Sequence, residues 1–252
     1  MKILHLDIET SPNIGPHWGL WQQNIGYNMV IQHSRILCMA FKWHGKKGVE
    51  FLSEWEDGTE AMLKRTHELL SEADAVVHYN GQRFDIPWIN TEFLLHGLTP
   101  PDPFHQIDLL KVVKNRFKFV SNKLDFVADR LEIGTKVKHT GMQLWLDVMA
   151  YCPKAQKLMK KYNIQDVALL EDAYNIILPW IKSHPNHALF KKTDAPVCPN
   201  CGSSHVVKNG TETTLTMAYQ RYRCQSCGTP IRGRTTILPK EKRANVLTQS
   251  KI

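Results

Sequence analysis

The first part of the chain carries three short apolar segments that indicate β-strands. Apolar and polar side chains alternate from Leu4 to Glu9, which predicts a strand over residues 2–8 with one buried face. Apolar runs at 35–43 and 48–52 predict two further strands. Together the three segments predict an antiparallel meander.

From residue 59 onward, apolar residues recur three and four positions apart, which indicates amphipathic helices between short strands. Helices are predicted at 59–72, 85–96, 121–132 and 154–178, a buried strand at 74–79, and a strand end running into a helix across 107–113. This alternation predicts a mixed α/β domain over residues 1–182.

Beyond residue 182 the periodic pattern stops. Residues 183–195 are predicted to form a linker, 196–236 a small β module with four of the six cysteines, and 237–252 a basic tail. A module of about forty residues cannot build a stable core unaided, so we expect a metal to support its folding.

Composition is that of an ordinary globular protein, with 42% hydrophobic and 22% charged residues among 252. The sequence has no apolar run of about 18 residues, and it does not open with a basic region followed by an apolar one. We therefore expect no membrane segment or signal peptide, and a cytoplasmic location.

The net charge of +8 comes from the C-terminal part of the chain. Residues 1–182 contain 21 basic and 21 acidic side chains, whereas residues 183–252 contain 11 and 3. A basic module beside a neutral domain favours an anionic partner such as nucleic acid. A tail that only improves solubility is the alternative.

Two carboxylates stand one residue apart on the first predicted strand. Because side chains i and i+2 of a strand share a face, Asp7 and Glu9 project together. Adjacent ionised carboxylates repel each other, and a divalent cation between them removes that cost. Oxygen ligands favour Mg²⁺ or Mn²⁺. The alternative is that both side chains face water on an edge strand.

A metal site needs more carboxylates, and two stand in suitable segments. Asp85 begins a predicted helix after a buried strand, where we expect Phe84 to be buried and Asn80 to cap or orient the turn. Asn80 is also a candidate contact for nucleic acid. Tyr162 and Asp166 are four residues apart on a predicted helix and therefore share one face. A phenol beside a carboxylate is suited to positioning a water molecule.

Other acidic residues have simpler explanations. Asp108 is placed to cap the helix that follows it, and Asp125 and Asp129 are expected to be solvated on an amphipathic helix. Asp147 is the best substitute for Asp166 in a metal site.

Three segments together resemble the motifs of the DEDD 3′–5′ exonucleases: DIE at 7–9, NGQRFD at 80–85 and YNIQD at 162–166. The tyrosine four residues before the last aspartate is similar to the DEDDy subgroup. The resemblance covers about residues 1–180. The segment FDIPWI is also similar to the exonuclease domain of family B DNA polymerases and to stand-alone phage and bacterial exonucleases.

The resemblance implies a ribonuclease H-like fold with a mixed sheet flanked by helices. It also implies two Mg²⁺ or Mn²⁺ ions and 3′–5′ release of nucleoside 5′-monophosphates. By motif, Tyr162 would orient or help to deprotonate the attacking water, and four carboxylates would bind the metals: Asp7, Glu9, Asp85 and Asp166. DNA with single-stranded 3′ ends is expected rather than RNA, in a bacterial or phage-infected cell. A DNA polymerase or another replication protein is a candidate partner. An RNA exonuclease and a non-catalytic module that binds nucleic acid or recruits a polymerase are the alternatives.

The segment 17–28 is rich in Trp, Gln and Asn and does not fit a regular element. If it lies beside the metals, Trp18 or Trp21 would stack on a base, and Gln22 or Asn24 would bond a sugar. The alternative is that the tryptophans pack on the core. A second loop is basic, and its members are expected to be solvated rather than bound to phosphate: Lys136, Lys138 and His139.

Two CxxC turns carry four cysteines, with 22 residues between the turns: Cys198, Cys201, Cys224 and Cys227. Each turn aims two thiolates at one point, and four thiolates form a tetrahedral Zn²⁺ site. Because four cysteines leave no open position, this pattern predicts one structural zinc in a ribbon. Asn209-Gly210 predicts a hairpin turn between the two cysteine pairs.

The predicted ribbon also carries a basic surface. Tyr219 and Tyr222 alternate with arginines along one predicted strand, an arrangement suited to base stacking and phosphate contacts. The arginines concerned are Arg221, Arg223, Arg232 and Arg234. Docking of a protein such as a polymerase is the alternative use of this surface.

Overall fold

The structure, a computed structural model, describes residues 1–19, 21 and 23–250. Gln22, proposed above for a sugar contact, lies outside the described residues. The chain forms two compact units, Lys2–Asn175 and a second that begins at Ile176 and includes Met1. The domain bounds at 182, 195 and 236 stay a prediction.

The larger unit contains one five-stranded sheet in the order β3-β2-β1-β4-β5. Its strands are β1 (Ile3–Thr10), β2 (Ile36–Trp43), β3 (Glu50–Ser53), β4 (Ala75–His78) and β5 (His105–Asp108). The first three pair antiparallel, as the predicted meander requires, whereas β4 pairs parallel with both β1 and β5. The mixed sheet is thus confirmed.

The helices of this unit are α1 (Thr59–Glu72), α2 (Asp85–Leu95), α3 (Leu109–Arg116), α4 (Leu124–Arg130), α5 (Met142–Met149) and α6 (Pro153–Ile177). Helix α5 is absent from the sequence prediction, because it spans only eight residues and buries just Leu144 and Val148. Among the described residues, none of the helices has the length and apolar composition needed to cross a membrane.

Strand β1 lies in the middle of the sheet, and its two faces have different surroundings. Leu4, Leu6 and Ile8 are buried in the main hydrophobic core with residues of α1 and α2. The opposite face carries Asp7 and Glu9, since alternate residues of a strand point to opposite sides. The two carboxylates are therefore held on a central strand, and the alternative of an edge strand facing water is wrong.

The smaller unit contains a three-stranded antiparallel sheet of β6 (Val206–Thr213), β7 (Ala218–Cys224) and β8 (Pro230–Thr236), followed by α7 (Lys240–Ala244). The predicted hairpin turn at Asn209-Gly210 is wrong. These residues form a bulge inside β6, where the register shifts, and the turn follows at 214–217. Gly210 has a φ of 72°, and a left-handed glycine suits a bulge as well as a tight turn.

The segment 183–195, predicted to be a linker, is hydrogen-bonded to the first cysteine turn. The backbone N–H of His187 donates to the carbonyl of Pro199 over 2.8 Å. The ammonium of Lys191 donates to the carbonyl of Gly202. These contacts join the segment to the ribbon within the smaller unit.

Candidate active site

Three carboxylates from two elements meet on one face of the sheet. Asp7 and Glu9 come from β1 and Asp166 from α6, and each offers an oxygen within 4.8 Å of the other two. Asp166 is buried, whereas Asp7 and Glu9 keep partial exposure. Residues 159 positions apart in sequence, from Asp7 to Asp166, are thus brought into one cluster.

Asp85 lies beside this cluster, and its carboxylate hydrogen-bonds the backbone of β1. Its Oδ1 accepts the backbone N–H of Ile8, the residue between Asp7 and Glu9, over 3.2 Å. The group of carboxylates within 4.8 Å does not include Asp85. The charge of Asp85 nevertheless raises the pKa of both Asp7 and Glu9, so this carboxylate is electrostatically coupled to the cluster.

The turn before Asp85 contains a left-handed residue and a glycine, which leave room for the Asp85 carboxylate to lie against the backbone. Asn80 has a φ of 73°, and its N–H donates to Asp108 Oδ1 over 3.0 Å. The same oxygen accepts the N–H of Leu110, which confirms that Asp108 caps α3. A Cβ on Gly81 would come within 2.9 Å of Asp85 Oδ2, so a larger residue there would displace the carboxylate.

The prediction that Phe84 is buried is wrong, because its side chain is 39% exposed. The ring lies edge-on to Trp88, with centroids 6.4 Å apart. Asp85 occupies the inward-facing first position of α2 and is itself buried, which leaves the preceding side chain on the outside.

Burial raises the pKa of every carboxylate in the cluster, and repulsion from neighbouring carboxylates raises it further for Asp7 and Glu9. Burial is the largest cause for Asp7, whose pKa is raised further by Glu9, Asp85 and Asp166. The pKa of Glu9 rises to about 8, mainly through burial and then through Asp166. Burial also raises the pKa of Asp166, against the opposing effect of Lys136. The cluster therefore favours added positive charge.

The donor set fits a divalent cation. Asp166 Oδ1 is buried and has no hydrogen-bond partner among the described residues, although an oxygen in this position normally has one. Several carboxylate oxygens at one point match the ligand preference of Mg²⁺ and Mn²⁺. A cation would satisfy both the orphaned oxygen and the unbalanced charge.

Lys136 contacts the cluster, which the sequence analysis did not predict. Its ammonium forms an ion pair with Asp166 and lies 3.5 Å from the Tyr162 hydroxyl. Burial lowers the pKa of Lys136, but Asp166, Asp7 and Glu9 outweigh burial and the net shift is upward. The expectation that Lys136 is solvated is therefore wrong, because the path of the chain between α4 and α5 brings it inward.

Each carboxylate of the cluster is oriented by a neighbour from α5 or α6. Asn163 Nδ2 donates to Asp7 Oδ2 over 2.7 Å. Hydrogen bonding by Trp145 lowers the pKa of Glu9, and hydrogen bonding by Tyr162 lowers that of Asp166, in both cases against the larger effect of burial. The predicted pairing of Tyr162 with Asp166 one turn apart is confirmed. Asn163 and Trp145 were missed. Asn163 stands inside the YNIQD segment, which is the signal that could have found it, whereas Trp145 lies on α5, which the sequence did not predict.

Two cavities adjoin the cluster. A groove of about 560 Å³ is lined by Asp7, Tyr162 and several basic side chains, among them Lys114, Lys123 and Lys136. A second pocket of about 420 Å³ is lined by residues 10–12, Met142 and Trp145 and is largely apolar. His139, exposed as predicted, borders both cavities. The basic groove is suited to a chain of negatively charged groups, and the second pocket is suited to a flat apolar group.

A family model of the RNase H superfamily matches residues 32–178, more than half of the chain. The protein belongs to the RNase H superfamily. The ribonuclease H-like fold implied by the sequence motifs is thereby confirmed. Membership of this superfamily, together with a carboxylate cluster suited to divalent metals, supports a nuclease.

A solved structure shares the fold of this RNase H superfamily member. The family B DNA polymerase from the hyperthermophilic archaeon Pyrobaculum calidifontis superposes with a TM-score of 0.54 at 17% sequence identity. The match covers 71% of this chain and 24% of that polymerase. At this identity the likeness shows the fold alone. No curated protein matches the chain.

The two tryptophans of the segment after β1 are exposed in this RNase H superfamily member. Trp18 is 100% and Trp21 84% exposed, so the alternative that they pack on the core is wrong. Asn24 is exposed as well. Stacking of a base on either tryptophan stays a prediction.

The four cysteines of the ribbon converge outside the region that the family model matches. Their Sγ atoms lie within 4.8 Å of one another, and those of Cys198 and Cys227, and of Cys201 and Cys224, are 3.6 Å apart. Four thiolates bound to Zn²⁺ at 2.3 Å would be about 3.8 Å apart. Burial raises the pKa of Cys224, but N–H groups of its own turn outweigh burial and lower it to about 7. This geometry fits a tetrahedral metal.

The arginines of the ribbon sheet are exposed and partly anchored. Arg221 on β7 stands directly opposite Arg232 on β8, a like-charge pair that an anion would stabilise. Arg232 lies 4.7 Å from the centre of the Tyr219 ring and 3.4 Å from Glu212. Arg223 donates to the carbonyl of Gly228, and Arg234 is exposed on β8.

Proposed function

We propose that the protein is a metal-dependent 3′–5′ exonuclease that acts on single-stranded 3′ ends of DNA and releases nucleoside 5′-monophosphates. The observation that carries this proposal is the convergence of Asp7, Glu9 and Asp166 within 4.8 Å, beside Asp85. A cluster of this kind is costly without cations, because ionised carboxylates repel one another. The 3′–5′ polarity and the preference for DNA rest on the resemblance of the three motifs to the DEDDy exonucleases.

Asp7, Glu9 and Asp166 would hold one Mg²⁺ or Mn²⁺, and Asp7 with Asp85 would hold a second. Asp7 is the natural shared ligand, because its pKa responds to Glu9, Asp85 and Asp166 alike. Two such ions, when bound, lower the pKa of water and stabilise negative charge on the phosphate and on the leaving 3′-oxygen. A four-cysteine site with no open position would hold one structural Zn²⁺.

Tyr162 would orient the attacking water rather than remove a proton from it. Burial and the charges of Asp166 and Glu9 raise the pKa of its phenol, so the hydroxyl stays protonated at neutral pH. A protonated phenol donates one hydrogen bond and accepts another, which suits it to positioning the attacking water. Lys136, held beside Tyr162, supplies positive charge at the border of the groove where a phosphate would bind.

Each of the two cavities would bind a different part of the substrate. Lys114 and Lys123 on the groove would follow the phosphate backbone, since cations supply the sequence-independent part of nucleic-acid binding. Met142 and Trp145 in the second pocket would receive the terminal nucleoside, whose base presents a flat apolar face. The carboxylate cluster would then meet the phosphodiester bond before the last nucleotide.

A digestion panel tests this proposal. Single- and double-stranded DNA and RNA, labelled at either end, are incubated with Mg²⁺, with Mn²⁺ or with EDTA. A 3′ label on single-stranded DNA should appear at once as a mononucleotide, while a 5′-labelled strand shortens stepwise, and EDTA should stop both. Internal cleavage, or loss of a 5′ label first, would contradict the proposal. Faster digestion of RNA would favour the exoribonuclease alternative.

The ribbon would contribute to nucleic-acid binding through the opposed pair Arg221 and Arg232. We expect the double variant Arg221→Gln/Arg232→Gln to bind long single strands more weakly, and to lower the slope of log K against log salt by about 1.4, or about 0.7 for each lost phosphate contact. The turnover of short oligonucleotides should not change. Filter binding at several salt concentrations measures both quantities.

The matched control is Lys242→Gln/Arg243→Gln, which removes the same charge from α7 of the same unit. Equal losses in the two double variants would mean that net charge, and not the arginine face, drives binding. Unchanged affinity in the arginine variant would favour a protein-docking surface instead.

A further inference from the structure

A second group of metal-ligating side chains lies on the same face of β1, two residues before Asp7. His5 of β1, His44 just after β2, and Glu171 of α6 each offer a ligand atom, and these atoms lie within 4.8 Å of one another. Nε2 of His5 is 3.4 Å from Nδ1 of His44. The same Nδ1 is 3.2 Å from Glu171 Oε1.

These separations are those of ligands around one small ion. Zn²⁺ binds imidazole nitrogen and carboxylate oxygen at about 2.0–2.2 Å, and neighbouring ligands of a tetrahedron with such bonds are about 3.3–3.6 Å apart. Two of the separations, 3.4 Å and 3.2 Å, are close to that range, and the third pair of ligand atoms lies within 4.8 Å. The ligand atoms therefore need little rearrangement to share a metal.

Hydrogen bonding alone does not satisfy both contacts of His44 Nδ1. If Nδ1 of His44 carries the proton, that single hydrogen must serve both His5 Nε2 and Glu171 Oε1. If His5 donates instead, the lone pair of His44 Nδ1 faces a carboxylate oxygen. A cation bound by all three lone pairs removes this conflict.

The two imidazole rings are held in position by an aromatic neighbour. The ring of Tyr174 lies edge-on to both, 5.3 Å and 5.1 Å from their centres, and limits their movement.

The carboxylate of Glu171 is held in place from both sides. Its Oε1 accepts the N–H of Gly45 over 2.8 Å, and its Oε2 pairs with the ammonium of Lys42 over 3.0 Å. Lys42 thus pairs with Oε2, whereas His44 contacts Oε1. The side chain of His44 is 33% exposed, which provides an entry path from solvent, whereas His5 is fully buried.

We infer that His5, His44 and Glu171 form a further metal site, for Zn²⁺ or another transition ion that prefers nitrogen ligands. Imidazole favours such ions, whereas the oxygen-only cluster at Asp7 favours Mg²⁺ or Mn²⁺. The ion would join β1, which carries Asp7, to α6, which carries Asp166. It would thereby hold the two elements of the carboxylate cluster at a constant separation.

Metal content of the full chain tests this inference. Protein saturated with Zn²⁺ is dialysed against excess Mg²⁺, which occupies the carboxylates, and the retained zinc is measured by mass spectrometry. The wild type should retain two equivalents, one at the cysteines and one here. His44→Asn and Glu171→Gln should each retain one, and the control His105→Asn, an exposed histidine on β5, should retain two.

Substitution with Co²⁺ provides a readout that does not depend on a variant. The cysteine site should give thiolate charge-transfer bands, and the histidine site should add weaker visible bands without them. Retention of a single equivalent by the wild type, or of two by a folded His44→Asn, would overturn the inference. Loss of the second equivalent in Asp7→Asn but not in His44→Asn would overturn it too, because that zinc would lie at the carboxylates.

Discussion

Asp7→Asn is expected to lower the rate of nucleotide release at least about a thousandfold, because the ions that Asp7 shares supply several kcal/mol of the rate enhancement. The fold should survive. Asparagine keeps an oxygen that can accept the hydrogen bond from Asn163, which spans 2.7 Å in the wild type. The substitution also removes one of the mutually repelling charges. The initial rate on a 3′-labelled single strand with saturating Mg²⁺ measures the effect.

The matched control is Asp129→Asn, the same change at an exposed aspartate on α4. It should retain the wild-type rate. Circular dichroism and thermal unfolding should show both variants folded. A folded Asp7→Asn protein with wild-type turnover would remove the carboxylate cluster from the mechanism altogether.

The Mg²⁺-free protein is expected to lose stability as pH rises from about 4 to about 8. Glu9 has a pKa of about 8 in the fold against an ordinary value of 4.5, and Asp85 about 7 against 3.8. Because the folded state binds these protons more tightly than the unfolded state, protonation stabilises the fold. The contribution is complete below the ordinary values and is lost as pH rises through the raised ones.

The size of this effect should be on the order of a few kcal/mol, since each unit of pKa difference corresponds to about 1.4 kcal/mol. Urea unfolding of zinc-loaded protein between pH 5 and pH 8, without and with millimolar Mg²⁺, measures it. Mg²⁺ should stabilise the protein most at pH 8, where the carboxylates are ionised. Glu9→Gln should flatten the pH dependence without Mg²⁺, whereas a stability that rises across this range in the wild type would contradict the electrostatic account.

Local geometry explains why much of the candidate site was predictable. The alternation of β1 placed Asp7 and Glu9 on one face, and helical spacing placed Tyr162 one turn from Asp166. The CxxC turns likewise predicted the convergence of thiolates within each pair. In each case the residues are few positions apart, so the backbone periodicity alone brings their side chains together.

Interactions between distant segments account for most corrections. Lys136 reaches Asp166 because the chain between α4 and α5 turns inward, and Phe84 is exposed because Asp85 takes the inward position and bonds Ile8. The path of a loop depends on packing against several elements, and no spacing rule within the loop encodes it. The bulge at 209–210 is similar, since the same left-handed glycine suits a turn or a bulge and strand pairing decides between them.

The sequence by itself determined the α/β class, the meander, the paired carboxylates and the four-cysteine pattern, because periodicity and short spacings are properties of the local backbone. The tertiary structure decided that β1 is the central strand, which turned Asp7 and Glu9 from possible surface groups into a cluster with Asp166. It also decided that His5, His44 and Glu171 meet. These groupings join positions far apart along the chain, and only the packing of α6 on the sheet brings them within bonding distance.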